Sequence, residues 1–345
     1  MKQLLNTLYV TTQGAYLARE GETVLVRVEG ETKLRVPIHN LGGIVCFGVV
    51  SCSPPLMGLC AERHVAVSFL SKNGRFWARM EGPVSGNVLL RREQYRRADN
   101  EERTAEIARA VVIAKIANCR TVLLRASRPS SEPEDVAVAK VRAAADHLAG
   151  LLSTLENPQS SDSIRGVEGD AAHWYFSVFD HLILCQKEDF FFKDRNRRPP
   201  LDNVNALLSF LYTLLAHDVA SALETVGLDP AVGFLHRDRL GRPGLALDIM
   251  EEFRPFLADR LALSLVNLQR IKGAGFTKTE TGAVNMDDVT RKEVLVAYQE
   301  RKREEIQHPF LNEKIEIGLL PYAQALLLAR HLRGDLDGYP PFLWK

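Results

Sequence analysis

Residues 235–255, LHRDRLGRPGLALDIMEEFRP, place the imidazole of His236 one short turn away from three carboxylates, Asp248, Glu251 and Glu252. Asp248 and Glu251 are three apart, and Asp248 and Glu252 four apart, so on a helix either pair shares a face. Ile249, Phe253, Phe256 and Leu257 then cover the opposite side. The pattern suits two readings. One is the solvated acidic face of an ordinary amphipathic helix; the other is part of a metal site that works on phosphates. Spacing alone does not choose between Glu251 and Glu252. The intervening GRPG can bend the chain back so that His236 faces the helix. A further acid, Glu168, lies in SIRGVEGDAAHWYFSVF. It reads as a charge at a glycine-flanked helix start, where the helix dipole favours an acid, or as a third ligand. Glutamate, histidine and a second carboxylate form an oxygen and nitrogen donor set. Such a set suits Mg2+ or Mn2+ better than structural zinc, which prefers thiolates.

Basic residues lie near these acids in the sequence. FFFKDRNRRPPLDN, residues 190–203, carries Lys193, Arg195, Arg197 and Arg198 beside aromatic residues, and the turn after His236 carries Arg239 and Arg242. A solvated loop explains such charges, but so does a phosphate clamp, because arginine forks match phosphate oxygens. In LLRREQYRRADNEER, residues 89–103, Arg91, Arg92, Arg96 and Arg97 are partly balanced by acids and read as a plain helix surface.

The elements that must position these side chains fall into two groups. TLYV, AYLAREG, TVLVRV, KLRVPI, GIVCFG, VAVSFL and RFWARM, between residues 7 and 83, read as strands punctuated by glycine turns. Pro54-Pro55 opens one short helix among them, LMGLCAERH. After Gly86 the apolar spacing becomes helical over 88–125 and 133–156, with SRPSSEPED as a capped loop between them and ENPQSSDSIRG as a second loop. AAHWYFSVFDHLI, VNALLSFLYTLLAHDVASALETV, LALDIMEEFRPFLADRLALSLVNLQ, VTRKEVLVAYQERKREEI and IGLLPYAQALLLARHL read as helices, and KGAGFTKTETGAVNMDD as a polar loop. The expected fold class is α+β by segregation, with a small β-rich domain over 1–86 and a larger helical domain over 87–345.

The 345 residues, 46% of them hydrophobic and 25% charged, are enough for two domains with real cores. A net charge of +1 excludes a globally basic DNA-coating protein but permits a local basic patch. Five cysteines at wide spacings, with no C-x-x-C, argue against a zinc finger or a disulfide framework and suit a reducing cytoplasm. No signal peptide is read at the start, and no membrane span is expected. Neither G-x-G-x-x-G nor G-x-x-x-x-G-K-[ST] occurs, which argues against nucleotide-driven chemistry.

In combination and order, these segments resemble one family, the CRISPR-associated endonuclease and integrase of spacer acquisition. LYVTTQGAYLAREGETV is similar to its opening hairpin, and HVAVSFLSKNGRF with GPVSGNVLLRREQY to its passage from β-domain to helical domain. VEGDAAHWYFSVF, RRPPLDNVNALLSFLYTLL and GLDPAVGFLHRDRLGRPGLALDIMEEFRP resemble its glutamate segment, its basic loop and its histidine–acid segment. One departure is SFLY at 209–212, where a glycine is expected before the tyrosine. The resemblance implies that Glu168, His236 and Glu251 hold Mg2+ or Mn2+. It implies that Asp248 is a further acid at the site, orienting a water or nucleophile or holding a second ion. It also implies an integrase acting on double-stranded DNA. The expected assembly is a homodimer joined through the β-domains, two of which flank a dimer of a small ferredoxin-like partner in a heterohexamer. Two rivals remain at this stage: a metal-dependent nuclease of branched or double-stranded DNA, and a DNA-binding scaffold whose acids are only surface charge.

Overall fold

In the computed structural model the described residues are 5–80, 82, 88–127 and 136–344. The chain divides into two compact units, Met1–Gly86 and Asn87–Lys345, and the residues at that boundary lie outside those described.

The first unit is built from short β-branched and aromatic runs, which fit a half-buried pleated surface. Strands β1 (Asn6–Val10), β2 (Tyr16–Glu20), β3 (Thr23–Val28), β4 (Glu31–Pro37), β5 (Leu41–Phe47), β6 (Ser51–Cys52), β7 (Ala66–Leu70) and β8 (Phe76–Met80) form two four-stranded sheets. Their orders are β1-β5-β7-β8 and β4-β3-β2-β6. β5 runs parallel to both β1 and β7, and β8 closes that sheet antiparallel. Helix α1 (Pro54–Glu62) starts where the sequence indicates: two prolines open it, and the Ser53 side chain accepts from the Leu56 N–H. Leu17, Val24, Ile38, Ile44, Leu56, Leu59 and Val67 fill the core.

The second unit is helical. Its elements are α2 (Val88–Ala98), α3 (Glu101–Ala126), α4 (Val136–Thr154), α5 (Ser161–Ser177), α6 (Asn203–Val226), α7 (Gly244–Glu251), α8 (Arg260–Asn267), α9 (Asp288–Arg303) and α10 (Leu320–Leu332). Asn100 and Asp202 cap α3 and α6 by accepting from the backbone N–H three residues on. α3 runs through the middle of the unit, packed against α4, α5 and α7.

The structure departs from the sequence reading in several places, and one part of that reading falls outside the described residues. Residues 88–125 are two helices, broken at Asp99-Asn100 because Asn100 caps the second. The SRPSSEPED loop and its cap lie, after Ser127, outside the described residues. The expected long helix 245–269 is interrupted at Pro255 by a π-helical turn, Arg254–Asp259, where the ring cannot donate to the helical ladder. The polar stretch after Lys272 forms an antiparallel hairpin, β9 (Phe276–Lys278) with β10 (Val284–Met286); β11 (Glu305–Gln307) similarly pairs with β12 (Lys314–Glu316). Finally, α6 is long and apolar enough to cross a membrane, with a mean hydropathy of 1.5. Its apolar side chains serve the interior instead, 67% of that window being buried against neighbours such as α7 and α10.

Candidate functional site

The segment before His236 passes directly over the start of α7. A side chain at Gly233 would meet Asp248 Oδ2 at 2.6 Å and the Gly244 carbonyl carbon at 2.7 Å, and one at Gly244 would meet the Ala231 carbonyl oxygen at 2.7 Å. Two glycines therefore allow the crossing. The turn between them folds as the GRPG motif suggests, with Arg242 N donating to the Arg239 carbonyl at 3.0 Å and Gly244 N to the Ala231 carbonyl at 3.0 Å.

The crossing buries Asp248, 1% exposed, beneath His236. Its Oδ2 accepts from Phe234 N at 2.6 Å and Leu235 N at 2.9 Å; its Oδ1 accepts from His236 N at 3.0 Å and His236 Nδ1 at 2.7 Å. An anion behind Nδ1 favours the tautomer protonated there, which leaves Nε2 with a lone pair to offer. The imidazole is only partly buried, at 19% exposure. With four donors on its two oxygens, Asp248 holds the histidine in place. The acids of α7 are not a solvated face, since Glu251 and Glu252 are buried as well.

Glu251, one turn further along α7, meets a different set of partners. Arg254 contacts its Oε1, and Lys115 Nζ, from α3, lies 2.8 Å from its Oε2. Lys115 also donates a hydrogen bond to Glu168 Oε1, so one ammonium bridges acids from α5 and α7. Burial by itself would raise the Glu251 carboxyl, but Arg254, Lys115 and then His236 outweigh it and hold the group well below the ordinary carboxylate range. Glu168 lies within α5, not at its start: Ser160 caps that helix by accepting from Ser163 N, and the expected loop ENPQSSDSIRG ends in helix.

Among the described residues no three His, Cys, Asp or Glu side chains stand in an array ready to hold an ion. The reason is local, since the Lys115 ammonium lies between the two glutamates. The donor chemistry nevertheless fits a hard divalent ion. Glu251 Oε2 is buried and makes no aligned hydrogen bond, its ammonium neighbour being in charge contact but off axis. Glu168, at 27% side-chain exposure, and His236 are both reachable. Lys115 and Arg254 were not singled out from the sequence, although a signal for one existed. Lys115 falls on the apolar stripe of α3 with Val111, Val112 and Ile116, all buried, and a charge there requires a buried partner.

Glu252 belongs to a separate network. It accepts from Tyr339 OH at 2.6 Å, Gln324 Nε2 at 3.0 Å and Phe342 N at 2.7 Å. Arg195, expected among the DNA contacts, is turned inward. Its guanidinium donates to Asn205 Oδ1 at 2.7 Å and Ser209 Oγ at 3.2 Å and lies over the Tyr212 ring at 5.2 Å. Tyr212 OH in turn donates to the buried Asp259 at 2.6 Å. Lys193, Arg197, Arg198 and Arg239 are exposed and Arg242 half-buried. The Arg242 guanidinium loses protons more readily than usual, first through desolvation and then through repulsion from Arg239, Arg197 and Arg198, with Asp248 opposing. Arg242 therefore feels the charges of both basic loops, and among the described residues no contact ties Lys193 to them.

Residues 8–300 match the family described as CRISPR associated protein Cas1. A protein named CRISPR-associated endonuclease Cas1 1, from Chlorobaculum tepidum, is 56% identical over 345 residues, covering 100% of both chains. A CAS1 protein from Thermotoga maritima of known structure is 25% identical, with a TM-score of 0.82 over 99% of this chain and 100% of that one. Two solved chains share the fold at lower identity. A casposase bound to integration product is 22% identical with a TM-score of 0.83, covering 99% of this chain and 95% of its own. A chain of a Cas6-RT-Cas1–Cas2 complex is 21% identical with a TM-score of 0.83, covering 100% of this chain and 36% of its own. With a family match over most of its length and a relative aligned from end to end, the chain belongs to the CRISPR-associated Cas1 family.

Proposed function

We propose that the protein is a metal-dependent DNA integrase and endonuclease that inserts short foreign DNA into a CRISPR array. In this reading the 3′-OH of the incoming fragment attacks a phosphodiester of the repeat, gives up its proton and displaces the 3′-oxygen of the cut repeat strand, which leaves as a new 3′-OH. One observation carries it: Glu168 and Glu251 converge on a single cationic point, the Lys115 ammonium, while Asp248 engages His236 through Nδ1 and leaves Nε2 to offer. The endonuclease name of the Chlorobaculum relative and the integration product bound by the casposase support the reaction class.

When bound by Glu168, His236 and Glu251, Mg2+ or Mn2+ supplies Lewis-acid stabilisation of the charge that grows on the phosphoryl oxygens. The chain's own residues do the positioning. Asp248 holds the proton on His236 Nδ1 and fixes the ring. Arg254 engages Oε1 of Glu251, which leaves Oε2 toward Lys115. Arg197, Arg198, Arg239 and Arg242 bind the DNA phosphates flanking the reacting one. Neither a 3′-OH nor water needs ATP as a partner, in keeping with the missing nucleotide motifs.

Assembly through the β-rich unit as a homodimer is part of the proposal. Phe76 and Trp77 on the outer strand β8 are 51% and 57% exposed, an apolar surface suited to a second copy. The small ferredoxin-like partner and the heterohexamer follow from the family, and the Cas6-RT-Cas1–Cas2 complex contains a chain of this fold with a Cas2 partner. The free thiols of all five cysteines support a reducing cytoplasm.

The test uses a labelled DNA fragment and a repeat-bearing plasmid, with Mg2+ or Mn2+, with and without the small partner. Joining that depends on metal, on a free 3′-OH and on His236 is expected, and His236→Ala should abolish it. Nicking that ignores the 3′-OH would favour a nuclease. Tight DNA binding without any metal-dependent product would leave only a scaffold.

A further inference from the structure

The charge at the centre of the site is balanced without any ion. Glu168 and Glu251 bring two negative charges, and Lys115 and Arg254 bring two positive ones. The two cations are placed differently. Arg254 touches only Oε1 of Glu251, whereas the Lys115 ammonium reaches both glutamates and faces the Glu251 oxygen that lacks an aligned donor. Its side chain is 8% exposed on a buried helix stripe that is mostly apolar, where an ammonium is costly unless acids surround it. Two carboxylates aimed at one point, with a cation in it, is also the arrangement that a divalent ion would require.

We propose that Lys115 is a built-in counter-cation of the site, which holds Glu168 and Glu251 together before an ion arrives and competes with that ion for the same oxygens. This rests on the metal reading above. With the Asp248 anion behind His236 counted as well, adding a doubly charged ion leaves one net positive charge, and a DNA phosphodiester offsets it. Ion and DNA therefore bind cooperatively, and the ion is held weakly until DNA is present.

The experiment is Mn2+ binding to the full chain in the absence of DNA, followed by the electron paramagnetic resonance signal of free Mn2+. Lys115→Gln and Lys115→Met, checked for folding by circular dichroism, should bind Mn2+ at least about tenfold more tightly than the wild type. A purely structural lysine would not produce that sign. A short DNA duplex should tighten Mn2+ binding to the wild type by a larger factor than to either variant. Affinity in both variants equal to or below the wild type, with Glu251→Gln abolishing binding, would overturn the role of Lys115 while sparing the metal site. Absence of Glu251-dependent Mn2+ binding in every form would overturn both. Should neither lysine variant fold, the wild type decides: Mn2+ affinity unchanged by duplex would overturn the coupling, and a tightening of about tenfold would support it.

Discussion

Asp248 accepts two backbone N–H groups on one oxygen and a backbone and an imidazole N–H on the other. Asparagine in its place has the same size but turns an amide nitrogen toward two of those donors. The cost should be about 2–4 kcal/mol of stability, and His236 loses the anion that fixes its tautomer. Asp248→Asn should therefore lower the melting temperature and reduce metal-dependent joining by about 10–100-fold. Rates measured well below the melting temperature separate these effects, and a normal rate there would remove Asp248 from the site. The same scale shows the limit of the sequence. Glu251 and Glu252 are equivalent by spacing, and only the family resemblance favoured the first. What distinguishes them in space is Lys115 on one side and Gln324, Tyr339 and Phe342 on the other. All four are remote in sequence, so local periodicity carries no information about them. Glu168 was found as a residue but misplaced at a helix start, because its flanking glycines look like an end; α5 tolerates Gly166 and Gly169 in its interior.

At the scale of elements, α3 is the spine on which the site hangs, and the residues near the C-terminus strap it to α7. Asn118 donates to the Glu252 carbonyl at 2.7 Å and the Phe342 carbonyl at 2.9 Å, and accepts from Trp344 N at 2.8 Å. Asn118→Ala orphans three buried backbone groups and should cost about 2–4 kcal/mol in urea unfolding; a loss under about 1 kcal/mol would mean that the strap is not coupled to the core. The π-helical turn is the second device. It brings Asp259 between the hydroxyls of Tyr175 and Tyr212, and burial pushes its carboxyl up to about 6 from an ordinary 3.8, against the pull of both tyrosines and of Arg254 and Arg195. Because the folded state holds this proton more tightly than the unfolded chain, the contribution of Asp259 is fullest below about pH 4 and is lost as the pH rises through about 6. The unfolding free energy of wild type relative to Asp259→Asn should fall by about 2 kcal/mol from pH 4 to pH 7. An invariant difference would show that the tyrosines and arginines already keep the group ionised. The strands and most helices were legible in advance, since periods of two and 3.6 are local properties. The π-turn, the β11–β12 pair and the hairpin after Lys272 were not, because strands of three residues and a single wide turn are too short to carry a readable period.

Over the whole molecule the net charge is +1, so affinity for DNA cannot come from overall charge and must come from where the charge is gathered. The composition permitted a patch without indicating which arginines would form it. Arg195 sits in the same basic loop as Arg197 and Arg198 and is chemically identical, yet its guanidinium is bonded to Asn205 and Ser209. Arg239 and Arg242 come from a loop about 40 residues further on and join the patch only through the fold. Salt dependence separates these roles, because each guanidinium that neutralises a phosphate adds about 0.9 to the slope of log affinity against log salt concentration. Replacing Arg197, Arg198 and Arg242 together by glutamine should lower that slope by about 3, measured by filter binding to duplex DNA between about 50 and 200 mM salt. Arg195→Gln should leave the slope unchanged and lower the melting temperature instead, since it removes a buried partner of Asn205 and the stack on Tyr212. If Arg195→Gln flattened the slope as much as one substitution in the patch does, the guanidinium would have to leave its internal partners on binding DNA, and the basic loop would be a moving part of the interface.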